Sequence, residues 1–414
     1  MTRMLAPQLD VIAPGGPVLR HADGLFELPP PEDATRDATS RWVDRFAGDL
    51  LDKVSHEAAQ LDRAGATLRR EVMTEAARCG LLGASLPRRV GGLGMSLLGW
   101  GHALERVGYL CDDASFALNI SLFQSVANML AASGNAVLIE RYVAPVCTGE
   151  RLVAFAYTEE ADAFSMKSTL RAHRGDYVVN GAKVMVTAGA MADSYMTYVM
   201  NEATDDMAVA MIDRDAPGVH VQPIETMGLR ASGLAAVRFD SVRVPKEQLL
   251  LAENGLDHVQ NFLNPRRGIL CCAPIGRMQR IVDECVRMLS ETVRHGAPLT
   301  SMQLIQARLG RMQMKVHISK ALVDPALDWL DQNATNNHLE EIVSAAKHEI
   351  TEHAIAVALD SIRLTGARGY AHANQFERYL RDFCGLISGA GSQDVLEVNM
   401  GLLAVARAAG RTTG

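Results

Sequence analysis

Between Arg151 and Leu251 the apolar residues fall in short alternating runs broken by Gly and Pro, while on both sides they recur every three or four residues. Alternation places successive side chains on opposite faces of a strand, and the longer period places them along one face of a helix. The chain is therefore read as helical, then β, then helical. In the middle stretch, Tyr177–Val186 sets two apolar runs around Asn180-Gly181, and both residues tolerate positive φ, so a hairpin turn is predicted there. Val219-His220-Val221 and Val237-Arg238-Phe239 continue the strand style, and the spacing suggests a small β-barrel. Before it, turns are expected at Gly80, at Gly91-Gly92-Leu93-Gly94 and at Ser133-Gly134-Asn135. After it, Asn264-Pro265 reads as an N-cap and first helical position. Ile305, Leu309, Met312 and Val316 form one apolar stripe, and Ala346, Ile350, Ala354 and Val357 form another, with Asp324-Pro325 as a break between them. The expected fold is mainly α: an irregular arm over 1–38 containing Pro29-Pro30-Pro31, a helical domain over 39–150, a β-barrel over 151–252 and a four-helix bundle over 253–414.

Composition narrows the class. The chain has 414 residues, 48% of them apolar, which is enough for a large core in two or three domains. The 41 Lys+Arg stand against 48 Asp+Glu for a net charge of −7, and no dense basic run offers itself to nucleic acid. No apolar stretch of spanning length is expected, and Met1–Arg20, with Pro7, Pro14 and Pro17, does not read as a signal peptide. The seven scattered cysteines read as reduced, mostly buried thiols, which suits a cytoplasmic protein.

Self-contained catalytic motifs are absent. There is no GxxxxGK[ST] loop and no GxGxxG after a strand. His348 and His353 flank a Glu-Ile-Thr-Glu segment but sit five apart, about 140° around a helix, where a zinc pair needs a spacing of four. A metal site is not expected.

Several segments, in order, resemble the acyl-CoA dehydrogenase family. Leu86-Pro87 with Gly91-Gly92-Leu93-Gly94 is similar to its N-terminal loop, and Ala156-Tyr157-Thr158-Glu159 to its first flavin segment. Gly175–Lys183 with Thr187–Asp193 resembles its second flavin segment, and Met227-Gly228-Leu229-Arg230 with Phe239-Asp240 and Val244-Pro245 the exit from the barrel. Gly366–Tyr370 and Glu377-Arg378 with Arg381-Asp382 resemble the C-terminal signature. The resemblance implies helices, a β-barrel and a four-helix bundle, usually in dimers or tetramers. It implies FAD and the α,β-desaturation of an acyl thioester carried by CoA or a carrier protein. A carboxylate would take the α-proton while the β-hydride passes to the flavin. An electron-transferring flavoprotein or oxygen would then accept the electrons.

The resemblance also locates departures. The usual base, a Glu nine residues after the Arg of the Arg-Asp pair, falls on Ala390 when counted from Arg381. The alternative base position, just before an Arg matched by Arg267, falls on Arg266. Asp394, four residues after Ala390, is the nearest acid in sequence and the candidate displaced base. For the cofactor the resemblance implies Tyr157, Thr158, Ser165, Met185 (in place of a Trp), Thr187, Arg363 (in place of a Gln), Gly366 and Ser392. Thr292 stands where an Arg usually reaches a neighbouring subunit's diphosphate, and Arg294 is the nearby substitute. Phe164 and Arg267 are implied on the substrate side. Three functions stay open: an acyl-thioester dehydrogenase or oxidase with a displaced or missing base, a flavin monooxygenase that needs no such base, and a flavin-poor homologue with a non-redox or scaffold role.

Overall fold

The computed structural model describes residues 28–160, 166–332 and 337–408; Phe164 and Ser165 lie outside them. Helix α1 (Arg36–Ala64) begins at Thr35, whose Oγ1 accepts the Ala38 N–H at 3.3 Å, and ends at the left-handed Gly65. It packs on α2 (Arg70–Arg78) and α3 (Leu97–Leu110), and α3 in turn meets α4 (Ala114–Ala132), which is capped by Asp113 through the Ser115 and Phe116 N–H groups. Gly80, Gly91, Gly94 and Gly134 all take positive φ, as turns there require. Helix α4 corrects one expectation. It is a 19-residue helix long and apolar enough to cross a membrane, but 72% of its apolar window is buried within the fold. It is a core helix, and the polar Asn119, Ser121 and Gln124 it carries are themselves buried. Two short helices, α5 (Ala136–Leu138) and α6 (Ala144–Thr148), joined by a π-helical turn over Ile139–Val143, lead into the sheet.

The middle region is one sheet of β1 (Val153–Ala156), β2 (Thr169–His173), β3 (Asp176–Val186), β4 (Ser194–Asn201), β5 (Asp206–Asp213), β6 (Val219–Pro223), β7 (Ala235–Val244) and β8 (Leu249–Leu251). The order is β6-β7-β3-β2-β4-β5-β8, and β1 adds to β4 in parallel. It curls around a shared core that includes Leu170, Val179, Tyr195, Ile212 and Phe239, as a barrel does, with β6 and β8 as the ends of the path.

The hairpin lies elsewhere than predicted. Strand β3 runs straight through Asn180-Gly181 as 11 residues, and the reversal is at Arg174-Gly175, with φ of 51° and 89°, joining β2 to β3. Asn180-Gly181 encodes a bulge instead: the register against β7 shifts between Val179 and Gly181. A Cβ on Gly181 would sit 2.2 Å from Ser168 Oγ, and Asn180 Oδ1 accepts the Ser241 N–H at 2.7 Å.

The C-terminal bundle consists of α7 (Gly255–Glu291), α8 (Gln303–Asp331), α9 (Asn337–Thr365) and a fourth layer of α10 (Ala367–Tyr370), α11 (Phe376–Cys384) and α12 (Gln393–Ala408). A two-stranded turn, β9 (Val293–Arg294) with β10 (Ala297–Pro298), separates α7 from α8. Two proline expectations are corrected. Asn264-Pro265 does not start a helix, because α7 begins at Gly255, and Asp324-Pro325 does not break α8. An interior proline costs about 3 kcal/mol. Burial of Val259 and Phe262 on one side, and of Ala326 and Leu327 on the other, outweighs that cost. Asp324 is further held by a two-pronged ion pair with Arg36 at 2.7 Å.

Arg381-Asp382 fastens the three regions. Arg381 bonds Asp62 of α1 at 2.7 and 2.9 Å and the Met227 carbonyl at 2.9 Å. Asp382 Oδ1 accepts the Leu229 N–H at 2.6 Å.

Candidate active site

Strand β1 delivers Tyr157 and Thr158 to an edge shared with the end of β3. The Thr158 carbonyl accepts the Val184 N–H at 2.8 Å. Met185 and Ala188, at φ of 55° and 57°, bend the chain around Thr187. Among the described residues the N–H groups of Thr158, Thr187 and Ala188, and both threonine hydroxyls, donate to nothing. Met185, where the resemblance has a Trp, is half exposed. Beneath this edge Lys183, fully buried, bonds Glu159 Oε1 at 2.6 Å, and Glu159 also accepts the N–H groups of Lys167 and Ser168. Burial pushes the Lys183 ammonium down to about 8. Burial also works to raise the Glu159 carboxyl, but hydrogen bonds from Lys183 and the loop hold it below its ordinary value. The pair is thus an ion pair that locks the first flavin-like segment onto β3. The alternating strand pattern gave no sign of it; an inward lysine in a strand was the available signal.

Aromatic packing ties this edge to the bundle. Tyr157 lies 5.9 Å from Phe155 and 5.4 Å from Tyr198, and Phe155 stacks on Phe262 of α7 at 4.2 Å. His258 meets the Tyr198 hydroxyl at 2.8 Å, and burial lowers its imidazole to about 4, which keeps it neutral.

Two helical turns beyond Phe262, α7 begins to line a small cavity of about 40 Å³ between α3, α4, α7 and α11. Its walls are apolar, among them Ala117, Leu118, Leu270, Ala273 and Leu386, and Asp113, Arg277 and Asp382 stand at one end. Arg277 is neutralised there by Asp112 at 2.8 Å. At the other end is Ser121, whose Oγ accepts from Arg266 at 2.8 Å.

The positions implied for a base lie close by. Ala390 takes a φ of 54° in the turn between α11 and α12 and packs against the core. Its carbonyl accepts from Arg267 Nε at 3.1 Å. Arg267, implied on the substrate side, is an anchor instead: only 2% exposed, it also bonds Asn264, Ser344 and Glu340. Lys347, unnoticed in the sequence because it sits inside an apolar stripe, is fully buried and donates to the Ile387 and Gly391 carbonyls and to Gln393 Oε1 at 3.2, 2.8 and 2.8 Å. Asp394 lies exposed in the first turn of α12, and Ser392 caps that helix by accepting the Val395 N–H at 3.4 Å.

The remaining implied cofactor residues lie elsewhere. Arg294 is exposed on β9, Arg363 pairs with Asp360 at 3.1 Å, and Gly366 (φ 61°) has open space where a Cβ would be. Thr292 accepts from Arg368 at 3.5 Å. Phe262 and Thr292 are thirty residues apart along α7, about 45 Å at the rise of a helix. The structure therefore does not bring the two implied cofactor groups together within one chain. His348 and His353 also face different partners, Glu397 and Ser319.

Comparison with known proteins bears on the family and the fold. The chain matches the acyl-CoA dehydrogenase N-terminal domain over residues 34–150, the middle domain over 154–242 and the C-terminal domain over 253–402. It is 28% identical to a benzylmalonyl-CoA dehydrogenase of Aromatoleum aromaticum over 90% of this chain and 97% of that one. It is 30% identical to a cyclohex-1-ene-1-carbonyl-CoA dehydrogenase of Geobacter metallireducens over 73% and 81%. A solved structure described as PigA with FAD and proline superposes with a TM-score of 0.83 at 19% identity, over 91% of this chain and 97% of that one. Matched domain by domain in the same order, the chain belongs to the acyl-CoA dehydrogenase family.

Proposed function

We propose that the protein is an FAD-dependent oxidoreductase that desaturates an acyl thioester, carried by CoA or a carrier protein, with its usual base displaced or missing. The observation that carries this is the edge of unpartnered donors at Thr158, Thr187 and Ala188, packed through Phe155 and Phe262 onto α7, the helix that two turns further on lines an apolar cavity. The donor set fits the acceptor edge of an isoalloxazine, and the apolar lining of the cavity suits the methylene groups of an acyl chain. Bound there, FAD would supply a two-electron hydride acceptor. Thr158, Thr187 and the Ala188 N–H would hold its ring, Tyr157 and Met185 would flank it, and the apolar walls would exclude water from the acyl group.

Proton removal is the altered part. Ala390 has no acid–base chemistry, and Arg266 is a buried cation. Asp394 is the nearest acid in sequence, and it would have to be carried inward by movement of the turn that Arg267 and Lys347 hold. An electron-transferring flavoprotein or oxygen would take up the electrons. The seven free thiols, five of them buried, suit a cytoplasmic setting.

The separation of the two cofactor groups along α7 supports a homodimer or homotetramer, in which Arg294, Arg363 and Gly366 of one chain would reach the diphosphate held mainly by another. So does α12, which leaves Val395, Val398, Leu402 and Val405 exposed along one face. Ala390 equally suits a monooxygenase, whose chemistry needs no α-proton base. One experiment separates the readings: the visible spectrum of the purified protein before and after denaturation, followed by anaerobic addition of acyl-CoA. Flavin bands that bleach with acyl-CoA support desaturation. Flavin that reacts only with oxygen, and oxygenates the substrate, favours the monooxygenase. A colourless protein that takes up no added FAD overturns both.

A further inference from the structure

Arg266 is 5% exposed, lies in the middle of α7, and among the described residues has a single side-chain hydrogen-bond partner, the neutral hydroxyl of Ser121 at 2.8 Å. No carboxylate neutralises it among the described residues, whereas Arg277, three turns along the same helix face, is paired with Asp112. A buried cation without a counter-charge is costly to keep, and such groups concentrate where a ligand supplies the missing charge. The position fits that role. Arg266, Leu270, Ala273 and Arg277 follow one another along one stripe of α7, and the last three line the cavity. Ser121, which Arg266 touches, lines it too.

We infer that Arg266 is a carboxylate-binding subsite, so that the preferred acyl group carries a second acid function besides its thioester; this rests on the thioester reading above. The planar guanidinium offers the two parallel donors that a carboxylate accepts. One guanidinium matches one monoanion, which favours a carboxylate over a phosphate dianion.

Calorimetric titration of the purified protein, under anaerobic conditions, with butyryl-CoA and with methylmalonyl-, succinyl- and glutaryl-CoA tests this. Wild type should bind at least one acid-bearing thioester about tenfold more tightly than butyryl-CoA, the scale of one charge-assisted hydrogen bond. Arg266→Met should collapse that ratio toward one, and Arg266→Lys should keep part of it. Equal affinities in wild type overturn the subsite whether or not either variant folds. If none of these CoA esters binds, the CoA form of the thioester reading fails on its own, and free hexanoate then decides about Arg266. A thermal shift in wild type that Arg266→Met abolishes keeps the carboxylate site, and no shift overturns it.

Discussion

Lys347 is the residue whose removal would be felt furthest from itself. Its ammonium, which burial lowers to about 8, holds two carbonyls and an amide oxygen of the turn carrying Ala390. Lys347→Met would leave those acceptors buried and unpaired, so a loss of about 2–4 kcal/mol in urea unfolding is expected, with faster deuterium exchange over 387–393. An unchanged midpoint and unchanged exchange would show that the turn holds without it. The same anchoring makes Ala390→Glu a fair test of the site. If the cavity is otherwise intact, acyl-CoA desaturation should rise by about 10²–10⁴-fold, the worth of a placed general base. FAD-loaded variant with no gain in rate would be evidence against a dehydrogenase site. Ala390 could be proposed from the sequence because it is counted from Arg381. Lys347 was not, since a lysine within a helical stripe looks like any solvated residue until the packing is known.

At the level of elements, glycines decide how closely helices approach. A Cβ on Gly276 would lie 1.8 Å from the Glu105 carbonyl, and one on Gly108 would lie 2.0 Å from that of Ala273, so α3 and α7 meet backbone to backbone. Gly310 of α8 has nothing within 4 Å. Gly276→Ala should therefore destabilise the protein by more than about 2 kcal/mol, because backbone cannot step aside as a side chain can. Gly310→Ala should stabilise it by up to about 1 kcal/mol through helix propensity alone. Thermal unfolding of both variants checks the pair, and similar effects would contradict the packing argument. The helical and strand regions were readable because periodicity reports which face is buried. Asn180-Gly181, Asn264-Pro265 and Asp324-Pro325 misled because each is a local signal overridden by neighbours: a β-bulge beside β7 in the first case, and buried side chains flanking the proline in the other two.

Across the whole molecule, Arg381-Asp382 joins helices, sheet and bundle, and its carboxylate carries a pH dependence. Burial raises the Asp382 carboxyl to about 7, against the Leu229 N–H and Arg378, which favour its charged form. In an unfolded chain an Asp titrates near 4. The folded state thus binds the extra proton between those values, and the stability this group contributes is present at low pH and lost as pH rises through about 7. Denaturant midpoints should fall between about pH 4 and 7 and level off above that, and Asp382→Asn should flatten that fall; an equal slope in the variant would assign it to other groups. The three-part organisation was evident from the order of patterns, but no pattern could reveal a clamp made by residues more than 150 positions apart, such as Leu229 and Asp382. The length of α7 has a further, genetic consequence on the proposed reading. The ring-binding edge near Phe262 and the phosphate-binding end near Arg294 lie too far apart to serve one cofactor within one chain. An allele damaged at Arg294 would carry its lesion into its neighbour's site, and two alleles broken at opposite ends would complement each other in a mixed oligomer.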